Sequence, residues 1–292
     1  MSQLIQHVIT VLSIGGIYAV LAVGYSLIYS IFQFTNFSFG AIMMTSAFAG
    51  YYSIAKLGMP IVGGIFFALG FGAIASLLVE LAAYRPMRKK KASRLFMMIS
   101  AMGINMFIVN LVLVLLGANL HAFPIEISSK TFTFGSVSVG KVDILAMIVS
   151  LIALVILWYF LEKTKSGIAV RACAQDTSTA GLMGINVNKV SLIVFAISGL
   201  TAAIAGIFFG IKYTVYPNLA DLSTKAFIAS VIGGLGSLPG AIVGGIILGV
   251  LETLVSGYIS STYRDLFAYA FMVIMLLFLP NGLLGKNYQD KL

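Results

Sequence analysis

Arg171 and Asp176 stand in the stretch EKTKSGIAVRACAQDTSTAGLMGINVNKV, residues 162–190, between apolar runs long enough to cross a bilayer. Both side chains offer polar contacts to a partner. Ser166-Gly167 can open a helix, Ile168 to Ala180 contains no proline, and Gly181 and Gly184 can end it. Ala172, Ala174, Ala180 and Gly181 occur together, small residues that a loop solvated on every side does not need. Val170, Ala174 and Leu182 leave one side free to pack. The chemistry open to such a segment is docking, the transfer of mechanical work from another protein.

No pattern for covalent chemistry accompanies it. The nearest approach to a phosphate-binding loop, Gly282-Leu-Leu-Gly285-Lys286-Asn287, has the wrong spacing and lacks the hydroxyl that would hold magnesium. His7 and His121 have no cysteine or carboxylate at ligand spacing, so neither metal nor cofactor is expected. Cys173 is the single cysteine, which excludes an internal disulfide, and it reads as a small filler. With no nucleophile, base and acid set, an enzyme is not expected.

Other polar groups lie within apolar runs. Glu252 interrupts 240–257, and an ionisable group there is either functional or structurally paired. Asn105 and Asn110 fall in 95–117, where they can bond between helices. Glu80 precedes the basic loop and has Arg85 as a candidate partner. Asn36, in FQFTNFSFGA, can cap a helix starting near Phe37 or present its amide to a pathway. Gly233, Gly234, Gly236 and Pro239 form a break before two GxxxG steps, Gly240/Gly244 and Gly245/Gly249. The steps favour close helix contact, and the break is a candidate hinge beside a pathway.

The elements that position these residues follow from composition. The chain has 292 residues, 60% hydrophobic and 9% charged, against about 25% charged in soluble domains. An all-α integral membrane protein is implied, a polytopic bundle of eight or nine spans in one domain, 1–292. The spans are 8–30, 37–55, 61–84, 95–117, 142–161, 190–211, 240–257 and 265–280, each near the 20 or so residues that cross the hydrocarbon. The first is expected to stay in the protein as a helix, being too long for a signal-peptide core. The glycine-interrupted stretch 223–236 is either a ninth crossing or a re-entrant half-helix.

The net charge of +9 does not point to nucleic acid, because six cations crowd into Arg85–Arg94 and four more into 162–189. The positive-inside rule places those loops in the cytoplasm and the bilayer as the chain's surroundings. Segments 118–141 and 212–225 carry two cations each and fall on the other side, with the N-terminus. In the outer loop, 118–141, KTFTFGSVSVG alternates as a small hairpin would. The tail with Lys286 and Lys291 is inside if 223–236 crosses and outside if it turns back.

Five separated motifs resemble one family. They are Glu80-Leu-Ala-Ala-Tyr84-Arg85-Pro86, Arg171-Ala-Cys-Ala-Gln-Asp176, Leu182-Met-Gly184-Ile185-Asn186, the run Ala229-Ser-Val-Ile-Gly-Gly-Leu-Gly-Ser-Leu-Pro-Gly-Ala241, and Pro280-Asn-Gly-Leu-Leu-Gly285. In order and over nearly the whole chain, they are similar to permeases of branched-chain amino-acid ABC importers of the LivH type. The resemblance implies a subunit in a bacterial plasma (inner) membrane that moves branched-chain or other hydrophobic amino acids. It implies a second related permease, two cytoplasmic ATPases and an extracytoplasmic binding protein as partners. Residues 167–184 would then be the coupling helix, with Gly167, Arg171, Ala172, Asp176, Gly181 and Gly184 serving the ATPase contact. Asn36, Gly233, Gly234, Gly236 and Pro239 would serve the pathway. Where the family reads Asn-Phe-Ala-His-Gly and an acid, this chain reads Asn36-Phe37-Ser38-Phe39-Gly40-Ala41. Urea and short-chain amide importers share the coupling and glycine regions, so substrate class stays open between them. A stand-alone carrier or channel is the rival from another class, although the membrane spans hold few carboxylates for proton coupling.

Overall fold

The computed structural model describes residues 2–124, 131–134 and 137–285. Lys130, Lys286 and Lys291, which entered the reading of charge and orientation, lie outside them. The chain forms helices α1 (Ser2–Phe32), α2 (Phe39–Ala55), α3 (Ile61–Val79), α4 (Arg85–Lys89) and α5 (Arg94–Leu116). A π turn, Glu80–Tyr84, joins α3 to α4. Strands β1 (Thr131–Phe134) and β2 (Val137–Gly140) follow, then α6 (Lys141–Lys163), α7 (Lys165–Gln175), α8 (Thr177–Leu182) and α9 (Val187–Tyr213). A 3-10 turn, Pro217–Ser223, leads into α10 (Thr224–Gly233), α11 (Leu238–Tyr258) and α12 (Arg264–Phe278). Five of the six prolines sit at helix starts or between helices, where a missing N–H costs nothing, and Pro86 follows the π turn within the continuous span Ile61–Lys89. The hairpin expected in the outer loop forms, with Thr131 opposite Gly140 and Phe134 opposite Val137.

Seven helices among the described residues are long and apolar enough to span a membrane, which does not reach the expected eight or nine. The shortfall comes from two elements: α2 has 17 residues, and α10 has 10 because Gly234 and Gly236 stop it with φ values of 110° and 82°. Such backbone suits residues without a Cβ.

The core lies along α1, which is buried almost continuously from Ile14 to Phe32. It packs antiparallel on α11: Gly249 meets Gly15, Gly245 meets Ala19, and Gly236 lies beside Ser30. The two GxxxG steps of α11 thus face different partners. Gly245 and Gly249 serve α1, whereas Gly240 and Gly244 meet Gly233 and Ala229 of α10. Elsewhere Gly72 of α3 and Gly199 of α9 close on each other, and Gly206 of α9 sits over the Met43 carbonyl of α2. Small residues at each crossing let backbones approach, because in lipid the attraction between helices comes from contact and not from water exclusion.

These contacts settle the path of 223–236. Phe32, at the end of α1, packs on Phe195, near the start of α9 and hence at the 162–190 end of the bundle. The α10–α11 turn lies at that same end, beside Ser30. Val215 pairs with His121 at the opposite end. The 3-10 turn and α10 therefore carry the chain back through the bundle, half of it as helix. After α12 the chain returns to the same end, where Leu283 and Leu284 donate backbone hydrogen bonds to Ile232 and Gly233 at 3.0 and 2.9 Å.

Lys225, counted from sequence as a loop cation, is instead buried in the first turn of α10. It pairs with Glu252 of α11 and Asp265 of α12, and Tyr18 of α1 donates to Glu252 at 2.7 Å. Glu252 is therefore a paired structural group in this conformation. Next to this set, Arg264 donates to the Tyr213 hydroxyl at 3.2 Å. Lys212 and Ser13 both donate to Asp143, at 2.8 and 2.9 Å. Asn110 bonds within its own helix, to Met106, and the Asn105 carbonyl oxygen is buried without a partner among the described residues.

Three variants test this packing. Gly244→Leu would drive a side chain into the Ala229 carbonyl, where even a Cβ lies 2.0 Å away; monodisperse folded protein is expected to be lost in detergent chromatography. Gly181→Ala, with open space around it, is expected to leave the yield unchanged. Lys225→Met strands the buried Glu252 charge, a change that costs about 3–5 kcal/mol for buried pairs. A large drop in thermal unfolding temperature is expected, recovered in part by adding Glu252→Gln.

Candidate functional site

The segment after α6 folds back on the bundle. Thr164 caps α7, its hydroxyl accepting from the Gly167 N–H at 3.0 Å. A Cβ at Gly167 would lie 2.2 and 2.5 Å from the carbonyl oxygens of Phe160 and Leu161, so only glycine allows the turn this close to α6. Val170 and Cys173 are buried against the core, and burial pushes the Cys173 thiol pKa up. Ala172 and Ala174 pack half-buried beside them. The free side expected at Val170 and Ala174 is thus taken by this chain itself. Arg171 pairs with Glu162 of α6 at the surface.

The single helix expected over 168–180 is two. Asp176 has φ −157° and ψ 116° and opens α8 as its N-cap. Its carboxylate accepts from the Thr179 hydroxyl and, at 2.8 Å, from the Ser178 N–H. These bonds, the Thr179 hydroxyl foremost, hold its pKa at about 2. Aspartate competes in this way with the backbone and so interrupts helices that proline-free composition would allow to continue. Gly181 is surrounded by open space and Gly184 turns the chain at φ 85°. Asn186 then caps α9 by accepting from the N–H groups of Asn188 and Lys189 at 3.1 and 3.2 Å. At the tip, Leu182 and Met183 project with 88% and 80% of their surface exposed. The reading of sequence weighed Leu182 but not Met183.

The residues expected at the pathway separate into two places. Gly233, Gly234, Gly236 and Pro239 form the α10–α11 turn. A Cβ at Gly233 would lie 1.9 Å from the Gly240 carbonyl oxygen, and one at Gly234 would lie 2.4 Å from the Gly285 nitrogen. Ser237 caps α11 by accepting from Gly240 N–H at 3.2 Å, with Pro239 in its first turn. The turn is closed by the 279–285 segment.

Asn36 lies deeper, 1% exposed, between α1 and α2. It does not cap a helix at Phe37; α2 starts at Phe39, with Ser38 at the cap position. The Asn36 carbonyl oxygen instead accepts from the Ser38 hydroxyl at 2.6 Å, the Ser38 N–H at 3.2 Å and the Tyr84 hydroxyl at 2.7 Å. Its Nδ2 is buried with no protein partner. Tyr84 is delivered by the π turn, whose first residue, Glu80, accepts from Ser191 of α9 at 2.6 Å. Glu80 forms its ion pair with Arg88, not the expected Arg85. Arg88 also lies 4.6 Å from the centre of the Phe32 ring. Tyr84 entered the sequence reading only as part of the Glu80–Pro86 motif, and Ser191 not at all, since a serine in an apolar run carries no signal of its own.

A groove of about 560 Å³ runs between α3, α6 and α9, lined by residues such as Ile65, Val149, Ile156, Leu157, Ile204 and Phe208. Thr201, also in its wall, spends its hydroxyl on the Ser198 carbonyl at 2.8 Å. Such a surface suits lipid and offers nothing to a zwitterionic solute. Neither Asn36 nor the α10–α11 turn lines it.

A family model described as branched-chain amino acid transport system, permease component, matches residues 7–276. The high-affinity branched-chain amino acid transport system permease protein LivH of Salmonella typhimurium is 34% identical, covering 98% of this chain and 97% of the relative. LivH of Escherichia coli (strain K12) is 35% identical over the same shares. Among solved structures, PsaBC from Streptococcus pneumoniae in complex with Fab superposes with a TM-score of 0.54 over 93% of this chain and 91% of that one. At 14% identity this likeness concerns the fold alone. The chain belongs to the family of branched-chain amino acid transport permease components.

The Asp176 cap yields a pH prediction with a definite sign. A carboxylate whose pKa falls on folding adds stability above its unfolded value, and that stability is lost as pH drops through the folded value. Here the window lies between the ordinary aspartate value of 3.8 and about 2, so α8 is expected to be unchanged from pH 6 to pH 8. Asp176→Ala is expected to speed amide hydrogen exchange at Ser178 to Ala180. Asp176→Asn, which keeps an accepting oxygen, is expected to leave most of the protection intact.

Proposed function

We propose that this chain, a member of the branched-chain amino acid permease family, is one membrane-spanning subunit of an ABC importer for branched-chain or other hydrophobic amino acids. It works beside a second, homologous permease in a bacterial inner membrane. Two cytoplasmic ATPases drive the pair, and an extracytoplasmic binding protein delivers the solute. The observation that carries the reading is the α7–α8 pair. It sits at the cation-rich end of the bundle, is pinned to the core by Gly167, Val170 and Cys173, and ends in an exposed Leu182-Met183 tip. An apolar tip on a rigid base is suited to seat in a groove of another protein, as an aliphatic anchor enters a pocket.

Force applied at this tip has two routes inward. One runs through α7 to α6 and α1, against which α7 packs. The other runs through the start of α9, where Ser191 holds Glu80 and hence the π turn beside Asn36. The roles assigned to the individual residues follow. Gly167 permits the close turn, Ala172 keeps α7 low on the bundle, Asp176 and Gly184 shape the tip, and Gly181 leaves room for a partner. Arg171 orients α7 through Glu162. Gly233, Gly234, Gly236 and Pro239 act as the hinge between α10 and α11, and Asn36 contacts the pathway. For ATP to drive transport, the ATPases must bind two conformations of this surface with different affinity.

Purification of the tagged chain from native membranes, followed by mass spectrometry, tests the assembly. Two ATPases and a second permease are expected; a chain recovered alone from gentle detergent would point to a carrier or channel. Leu182→Asp with Met183→Asp is expected to lower ATPase recovery about tenfold or more, as loss of an apolar anchor does, with normal yield of the permease. Unchanged recovery would remove the tip from the coupling surface.

A further inference from the structure

The Asn36 carboxamide is unusual in how its two ends are treated. Three donors converge on its oxygen: Ser38 Oγ at 2.6 Å, Tyr84 Oη at 2.7 Å and Ser38 N at 3.2 Å. A carboxamide offers two acceptor sites and two donors, so this arrangement fixes the amide's orientation and commits the oxygen entirely. The Nδ2 donors are left buried and unpartnered, a condition that native structures rarely tolerate without a use. A second buried donor lies within interaction range of Tyr84. The Tyr25 hydroxyl of α1 is buried and makes no well-formed hydrogen bond, although Thr35 is beside it and Tyr84 is near enough to interact.

Aromatic rings surround both groups. Tyr25 meets Phe39 and Phe227 edge-on or tilted at 6.0 Å between ring centres. Phe37 packs on Phe227 at 6.2 Å, while Phe34 packs on Tyr84 at 5.1 Å. Polar donors inside an apolar sleeve complement a solute with one anionic or carbonyl end and one hydrocarbon end.

We infer that Asn36 Nδ2 and the Tyr25 hydroxyl are the donors that receive the carboxylate of the transported amino acid. Tyr84 and Ser38 are the positioning residues that hold the Asn36 amide with its N–H groups free. Phe227 and Phe37 face the aliphatic side chain. The π turn gives this site its link to the energy source. Its last residue, Tyr84, holds Asn36, and its first, Glu80, is held by Ser191 and Arg88 at the cytoplasmic end of the bundle. A shift of α9 relative to α3 therefore reaches the amide through five residues of one turn. The inference rests on the importer reading and extends it to named solute contacts.

The test uses the complete transporter, co-expressed with its genomic partner subunits, in proteoliposomes with its binding protein and radiolabelled leucine, isoleucine or valine. Asn36→Ala and Asn36→Asp are expected to lower uptake per ATP hydrolysed by about tenfold or more, the usual weight of a hydrogen bond to a charged group. Assembly and ATP hydrolysis are expected to stay within about twofold. Asn36→Asp keeps the accepting oxygen for Tyr84 and Ser38, so it guards against simple misfolding of the alanine variant. Tyr84→Phe is expected to reduce uptake per ATP in the wild type and to do nothing further in Asn36→Ala, as coupled residues behave in a double-mutant cycle. Additive losses would make Tyr84 merely structural. Uptake per ATP unchanged in both Asn36 variants would overturn the assignment while leaving the importer reading intact. Absence of ATP-dependent uptake of all three amino acids by the wild-type complex would overturn the importer reading and this inference with it.

Discussion

Bilayer hydrocarbon has no hydrogen-bonding partner to offer, so each interruption of a helix in this bundle must be satisfied from within the chain. Three interruptions lie in the interior, and each is closed by a different means. Between α1 and α2, Asn36 and Ser38 bond to each other and to Tyr84. Between α3 and α4 the π turn keeps the helix continuous while shifting its register. Between α10 and α11 the freed carbonyls of Ile232 and Gly233 are taken by the 279–285 segment. Interruptions supported so specifically keep bare backbone from lipid. A transport subunit needs that property, because its path must open without the bundle coming apart.

The same constraint governs charge. Lys225, Glu252 and Tyr18 lie inside the bundle and compensate one another, with Asp265 reaching in from a more exposed position. Removing one member would leave a charge that lipid cannot solvate, so the set behaves as a unit. It ties the start of α10 to α1, α11 and α12. At the other end α10 is fastened by glycine contacts and by backbone hydrogen bonds. A short helix held at both ends can pivot only as its neighbours allow. Its Phe227 packs against Tyr25 of α1 and Phe37.

The α7–α8 pair shows how local chemistry divides a surface between internal and external duty. Its buried positions, Gly167, Val170 and Cys173, belong to the bundle. Its exposed apolar tip, Leu182-Met183, has no intramolecular role. Asp176 marks the boundary, since by capping α8 it turns the second helix out of line with the first. Arg171 was legible as a polar residue available to a partner, but only the fold brings Glu162 beside it.

Read alone, the sequence determined what depends on composition and on neighbours along the chain. Hydrocarbon length marked the seven long helices, and the alternating outer segment marked its hairpin. The GxxxG steps announced close contacts because residues without a bulky side chain let backbones approach. Pairings across the bundle had no such signal. That Glu80 meets Arg88 and Ser191, that Lys225 belongs to Glu252, and that Asn36 spends its oxygen on Tyr84 all depend on the rotation of one helix against another. A single extra residue in the π turn changes that rotation for everything after it. Helical periodicity records which residues share a face, whereas the partner of that face is decided by packing between segments distant in sequence.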